Sequence, residues 1–403
     1  MNAGSFIARR LGDKGNRISW ISVALSIAVM VVAIAVVDGF KSEIRAKATG
    51  FMGSAALVPP GQSPLNEGYP FTDSISYASA LDSLRCVESV SAVAYRSGLI
   101  KTPEAIAGVY FKGVDSLFDF SFFESCLTDG EIPDFRGGVS NKVLISRRLA
   151  DQLGLSVGDR MTAYFIGDDI KVRRFDLCGL FDAQLDDIDK SFAVIDIRQV
   201  RRLNGWSSAG TSSIEIRIPP RAGIDASVAA VDDLVSDRMT DHDPSLFTLS
   251  VKRIYAHLFD WLALLDLNVV MILALMMAVA GFNMISCLLI ILFRNISTIG
   301  ILKSMGMTNR AVSGVFLRKA AALVGKGMLV GNALALALCL IQKYTHIIKL
   351  DPANYFVSYV PIDFNWLQII AINAISFVVI MLILSLTSIF VSRVSPAVTM
   401  KVD

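Results

Sequence analysis

Leu267 to Phe293, LNVVMILALMMAVAGFNMISCLLIILF, runs for 27 residues without a formal charge between Asp266 and Arg294. A helix rises ~1.5 Å per residue and the hydrocarbon layer is ~30 Å thick, so about 20 apolar residues cross it. Three more stretches meet that length. Ile18 to Val37 gives 20 uncharged residues, and Phe364 to Ser392 gives 29. Ala320 to Gln342 gives 23, interrupted only by Lys326. Helices are expected throughout, because in lipid a helix satisfies its backbone N–H and C=O groups within its own segment. Ala33-Ile34-Ala35 has the small-x-small form of a signal cleavage site, but the apolar run continues past it, which favours a retained crossing.

The 403 residues are 53% hydrophobic and 18% charged, against ~45–50% and ~25% in an ordinary soluble domain. That balance excludes a wholly soluble enzyme and a disordered chain. A net charge of +2, from 38 Lys+Arg and 36 Asp+Glu, excludes an overall basic nucleic-acid binder.

Short loops rich in Lys and Arg stay in the cytoplasm. The first 17 residues hold Arg9, Arg10, Lys14 and Arg17 against Asp13, and 294–319 holds Arg294, Lys303, Arg310, Arg318 and Lys319 with no acid. The expected layout is a cytoplasmic N-terminus (1–17), a first crossing (18–38) and an exported domain (39–260). A second crossing (261–293), a cytoplasmic loop (294–319), a third crossing (320–342), an external loop (343–364), a fourth crossing (365–392) and a cytoplasmic tail (393–403) follow.

The fold class is therefore a membrane α-helical protein of four transmembrane helices with a large extracytoplasmic α+β domain between the first two. In that domain, strands are expected at Ser54–Val58, Ser91–Lys101, Ile106–Lys112, Val143–Ser146, Met161–Ile166, Lys171–Leu180, Phe192–Ile195, Ser212–Ile218 and Leu246–Val251. Helices are expected at Asp73–Arg85, Arg147–Leu153 and Asp225–Asp237, with another running unbroken from about Lys252 into the second crossing.

No catalytic motif is present. Gly325-Lys326-Gly327 lacks the spaced glycine and hydroxyl of a phosphate loop. His242, His257 and His346 have no partner at zinc-ligand spacing. Cys86, Cys126 and Cys178 of the exported domain permit at most one internal bridge and read by preference as buried free thiols, and Cys287 and Cys339 read as small packing residues of the crossings. The acids Asp182, Asp186, Asp187 and Asp189 lack the order of a calcium loop and read as a solvated connection.

In the 294–319 loop, Ile299, Leu302, Met305 and Met307 share one face of a short amphipathic helix closed by Gly306. Arg294-Asn-Ile-Ser-Thr-Ile-Gly-Ile-Leu-Lys-Ser-Met-Gly-Met307 resembles the coupling helix of the FtsX-like, or MacB/LolC/LolE-type, ABC permeases. Ser5-Phe-Ile-Ala-Arg-Arg10 and Val37-Asp-Gly-Phe40 resemble the first crossing of the lipoprotein-releasing members. Val143-Leu-Ile-Ser146 through Val157-Gly-Asp159 resembles the MacB-like periplasmic core. Leu350-Asp-Pro-Ala-Asn-Tyr-Phe-Val-Ser-Tyr-Val-Pro361 resembles the LolC/LolE loop before the last crossing.

The resemblance implies a non-catalytic permease in a bacterial inner membrane, with no cofactor on this chain. A separate LolD-like ATPase dimer would bind ATP and Mg²⁺ and grip Ile299, Gly300, Ile301, Leu302, Lys303, Met305 and Gly306. It also implies a second permease copy or paralogue, a lipoprotein substrate and a periplasmic lipoprotein carrier, with no nucleic acid. Val36, Phe40, Met271, Met276, Met277 and Phe282 are candidate linings of an apolar cavity, and each also fits plain packing against helices or lipid. Two alternatives are MacB-like export of amphiphiles or peptides and FtsX-like transmission to a cell-wall hydrolase. Thr298 stands where the family carries an acid, the Met161–Leu180 hairpin is short for a carrier hook, and Lys326 breaks an apolar crossing, as a snorkelling side chain does.

Overall fold

The computed structural model describes residues 17–167, 169–219, 223–294, 300–301 and 304–391. They form two compact units, one of Met1–Lys41, Trp261–Lys349 and Tyr359–Asp403, the other of Ser42–Asp260 with Leu350–Ser358.

In chain order the elements are α1 (Arg17–Met52), β1 (Ala55–Val58), β2 (Phe71–Thr72), α2 (Ala78–Asp82), β3 (Ser89–Lys101), β4 (Ile106–Val114), α3 (Ser121–Cys126), β5 (Leu127–Gly130) and β6 (Lys142–Ser146). Then come α4 (Arg147–Leu153), β7 (Arg160–Phe165), β8 (Lys171–Phe181), α5 (Asp186–Asp189), β9 (Phe192–Asp196), α6 (Ile197–Asn204), β10 (Gly210–Thr211) and β11 (Ser213–Arg217). The remainder are α7 (Ile224–Arg238), β12 (Phe247–Ser250), α8 (Val251–Ile254), α9 (Ala256–Arg294), α10 (Asn309–Thr345), α11 (Pro352–Tyr355) and α12 (Trp366–Val391).

Four helices are long and apolar enough to cross a membrane: Trp20–Met52, Ala256–Ile291, Asn309–Thr345 and Trp366–Thr387. In the first unit α1, α9, α10 and α12 share a core that includes Ile27, Val31, Met284, Leu288, Phe316, Leu323, Ile380 and Leu384. Small residues set the closest approach. A Cβ at Gly331 would lie 2.5 Å from the Ala24 carbonyl oxygen, and one at Gly327 would lie 2.8 Å from that of Trp20. Asn332 and Asn373 exchange amide hydrogen bonds of 2.8 and 3.0 Å between α10 and α12, a pairing favoured where no water competes.

In the second unit, the sheet runs β12-β1-β11-β3-β4-β9-β6-β8-β5, and β7 pairs with both β3 and β8. The strands β3, β4, β9, β6, β8 and β7 therefore close a ring. Most pairs are antiparallel, but β4–β9 and β6–β8 are parallel. Alternation sends Phe111, Val143, Ile145, Ala193 and Ile195 to one core. It sends Leu144, Phe192 and Val194 to another, with Phe51, Phe123 and Phe181. Both faces are buried, which is why Val143-Leu-Ile145 reads as an unbroken apolar run. Inside the ring Phe111 packs on Phe165 and Phe175, with centroids 4.9 and 5.7 Å apart.

Several expected elements differ. The helix expected over Asp73–Arg85 is only α2, because Phe71-Thr72 pairs as a strand with Gly210-Thr211 and Asp73 holds Arg201 at 2.6 Å. The helix expected to run unbroken from Lys252 is interrupted. Ser250 caps α8, and Tyr255 at φ −109°, ψ 46° ends it before α9. The Tyr255 ring packs in the second unit's core and its hydroxyl reaches Met52 Sδ at 3.0 Å, so core burial overrides helix continuity there. The first helix extends to Met52, past the expected crossing of 18–38.

Candidate functional site

Gly300, Ile301 and Ser304 are helical, and Ile299, Leu302 and Lys303 lie outside the described residues. Met305 N donates to Ile301 O at 3.1 Å, closing one turn. Gly306 then takes φ +88°, a left-handed conformation that costs a glycine little. Thr308 follows as the N-cap of α10, its hydroxyl accepting from Ala311 N at 3.3 Å. The helical turn thus ends and the cap of α10 follows within two residues. Ile301 and Met305, four apart, present apolar side chains that are 61% and 79% exposed, whereas Met307 packs against the bundle core.

The six cavity candidates do not share one surface. Met271 and Phe282, 64% and 72% exposed, fall on the same side of α9. Met276 packs against the bundle core instead. A helix advances ~100° per residue, so Met276 and Met277 point away from Met271. Val36 and Phe40 on α1 are half-buried.

In the second half of α1, Lys41 bridges to Asp266 at 2.7 Å. Asp363 N donates to Ala35 O at 3.1 Å. Lys326 is exposed on α10, 17 positions after Asn309, the first residue of that helix.

In the second unit, Lys112 is fully buried and salt-bridged to Glu215 at 2.8 Å. Its ammonium also donates to the Phe51 carbonyl, in the last turn of α1, and sits 4.8 Å from the Phe51 ring centroid. Tyr95 completes the group, its hydroxyl donating to Glu215 Oε1 at 2.8 Å. Burial pulls the Lys112 pKa down, partly countered by Glu215. It pushes the Tyr95 phenol well up.

The 350–358 loop is tied to the same unit. Lys47 donates to Gln184 Oε1 at 2.7 Å and to Phe356 O at 2.8 Å. Gln184 in turn donates to Ser358 Oγ. Gln184 and Phe356 both carry positive φ, 58° and 60°.

The acidic run expected to be solvated is partly a loop anchor. Asp189 is buried and accepts from the backbone N–H of Ala183 at 3.1 Å and Leu185 at 3.2 Å. Burial lifts its pKa to about 6, only partly offset by those bonds. A carboxyl whose folded pKa exceeds its unfolded 3.8 holds its proton more tightly when folded, so stability falls as pH rises from about 4 through 6. Asp189→Asn removes that dependence. Between pH 5 and 7.5 the melting difference between variant and parent should move toward the variant by about 1.4 kcal/mol. A constant difference across that range would refute the assignment.

All five cysteines are free, with Cys287 and Cys339 buried. Burial pushes the Cys126 thiol up to about 12 and the Cys178 thiol up to about 11. These thiols are poor nucleophiles at neutral pH.

Sequence reading singled out 299–306 from its apolar spacing, and it missed Lys112, Glu215, Lys47 and Gln184. A lone lysine within the expected strand Ile106–Lys112 was the available signal for the first.

A family model described as MacB-like periplasmic core domain matches residues 18–234, and one described as FtsX-like permease C-terminal matches residues 270–396. The chain is 22% identical over 410 residues to "Lipoprotein-releasing system transmembrane protein LolC" of Xylella fastidiosa (strain 9a5c), covering 96% of this chain and 93% of that protein. Against the protein of that description from Neisseria meningitidis serogroup B (strain MC58), identity is 21% over 380 residues, covering 89% and 87%. The solved periplasmic region of MacB from Actinobacillus actinomycetemcomitans aligns over 52% of this chain and 94% of that chain, at 13% identity and a TM-score of 0.36.

Proposed function

From a chain that belongs to the MacB-like periplasmic core domain family and is an ABC transporter permease with an FtsX-like C-terminal region, we infer a role in releasing lipoproteins from the inner membrane. The observation that carries this reading is similarity to LolC-described proteins along 96% of the chain, rather than along one unit.

In this reading both termini are cytoplasmic and the Ser42–Asp260 unit is periplasmic, as the basic 1–17 and 294–319 segments favour. A separate ATPase dimer supplies the power. Ile301 and Met305 seat in its groove, and the tight turn at Gly306 passes the displacement into α10. Nothing in the segment is asked to do chemistry; its task is to be short, apolar on one face and firmly joined to a long helix. An acyl anchor resists leaving a bilayer by ~0.8 kcal/mol per CH₂. Met271 and Phe282, on the exposed side of α9, offer an apolar surface that lowers that cost before nucleotide acts. A second copy or paralogue faces the same surface.

Depletion of the chain should leave outer-membrane lipoproteins in the inner-membrane fraction; normal sorting after depletion would count decisively against the role. Ile301→Asp with Met305→Asp should reduce recovery of the ATPase with the tagged full chain about tenfold or more, since each buried apolar side chain contributes ~1.5–3 kcal/mol. Unchanged recovery would remove this segment from the interface.

A further inference from the structure

The outward face of α10 carries cations without counter-charges. Arg318, Ala322 and Lys326 follow at four-residue spacing and are all exposed. They lie along one side of the helix, ~6 Å of rise apart. Neither Arg318 nor Lys326 has a hydrogen-bond or ion-pair partner among the described residues. The opposite side, with Leu323, Val324 and Gly327, is buried in the bundle.

No Asp or Glu occurs between Asp266 and Asp351, a stretch that includes Arg294, Lys303, Arg310, Arg318, Lys319, Lys326, Lys343 and Lys349. The described carboxylates of the first unit are Asp38, Asp266 and Asp363, and they gather around the far end of α1. Gly327 packs on the Trp20 carbonyl and Val23, which fixes the level of Lys326 near the start of α1. From Trp20 to Asp38 is 18 positions, ~27 Å along a helix, close to the hydrocarbon thickness. Lys326 thus stands at one edge of the hydrocarbon, level with an aromatic side chain of the interfacial type. Arg318 stands ~12 Å farther out. Ala322 lies between them, ~6 Å of rise from each. There the surface is notched: Ala322 is small, and nothing lies within 4 Å of a Cβ built on Gly325. Beyond Lys326, Leu329 is 75% exposed, an apolar continuation suited to an acyl chain.

We propose that Arg318 and Lys326 bind the phosphate of an anionic phospholipid in the leaflet at the Trp20 end of the bundle. The headgroup sits in the Ala322–Gly325 notch and one chain lies along Leu329. Charge and depth select the occupant: two cations face the phosphate layer of a bilayer, and no acid of the described first unit is near them. A soluble anion has no use for the apolar half of the site.

The test is native mass spectrometry of the full chain in micelles containing equal phosphatidylglycerol and phosphatidylcholine. The parent should retain phosphatidylglycerol about tenfold or more over phosphatidylcholine. Arg318→Gln with Lys326→Met should abolish that preference, and Lys326→Arg should keep it. Ala322→Trp, which fills the notch and leaves both cations in place, should abolish it too, which separates binding from any general effect of charge on folding. Equal retention of the two lipids by the parent would overturn the proposal. So would an undiminished preference in the double variant or in Ala322→Trp, or displacement of the lipid by millimolar inorganic phosphate. Crosslinking of a photoreactive residue at 326 to a protein instead of to lipid would also overturn it.

Discussion

Lys112→Met, made alone, is expected to destabilise the second unit by about 3–5 kcal/mol, the range for removing one partner of a buried ion pair. The loss has little to do with the attraction between the two charges. Removing the ammonium leaves the Glu215 carboxylate buried, with the Tyr95 hydroxyl as its remaining partner among the described residues, and leaves the Phe51 carbonyl without the lysine donor. Glu215→Gln in the same chain should recover most of the stability. A neutral amide carries no desolvation penalty of that size, and its oxygen still accepts from Tyr95. Thermal unfolding of the full chain, followed by protease sensitivity within 42–260, reads both steps. Equal losses in the single and double variants would mean that the contacts of the ammonium with the Phe51 and Phe118 rings, rather than its pairing with Glu215, set the cost.

Gly331→Val should be comparably severe for the first unit. The nearest obstacles to an added side chain are backbone atoms, the Ala24 carbonyl oxygen at 2.5 Å and its Cα at 3.0 Å. Backbone cannot rotate aside as a side chain does, so α1 and α10 must separate. Separation sacrifices the contacts of Val23 with Gly327, and overpacking of this kind costs ~1–3 kcal/mol or more. Gly314→Ala is the matched control. Nothing lies within 4 Å of its Cβ, and alanine is favoured over glycine in a helix interior by ~0.5–1 kcal/mol. The melting temperature of the purified chain should therefore fall with the first substitution and hold or rise with the second. Equal behaviour of the two would show that α1 and α10 do not meet along this seam.

Much of the architecture was legible in the sequence because local patterns dictated it. Arg147–Leu153 forms as expected, with Ser146 accepting from Leu149 N as its cap and Gly154 in the left-handed region at its end. The apolar stretches forecast all four long helices because their composition leaves little choice. Ile197–Asn204 escaped notice although Asp196 caps it and Gly205 closes it. It follows directly on the fully buried strand Phe192–Asp196, whose apolar run hides the change of period. The Lys112–Glu215 pair was beyond reach, since its members are 103 residues apart and meet through the pairing of β3 with β4 and β11. Within 299–306, which spacing singled out, the structure describes a helical turn at Gly300–Ile301 and the left-handed Gly306. That Met276 faces the bundle while Met271 faces outward depends on which side of α9 the other helices cover.

The closed ring of six strands has no free border of its own. A sheet with free borders invites pairing with any extended chain that passes. Here the terminal strands of the sheet path, β12 and β5, are four residues each. Each offers too few unpaired groups to hold a stray segment for long. The second unit thus presents little sheet border with which another backbone could pair.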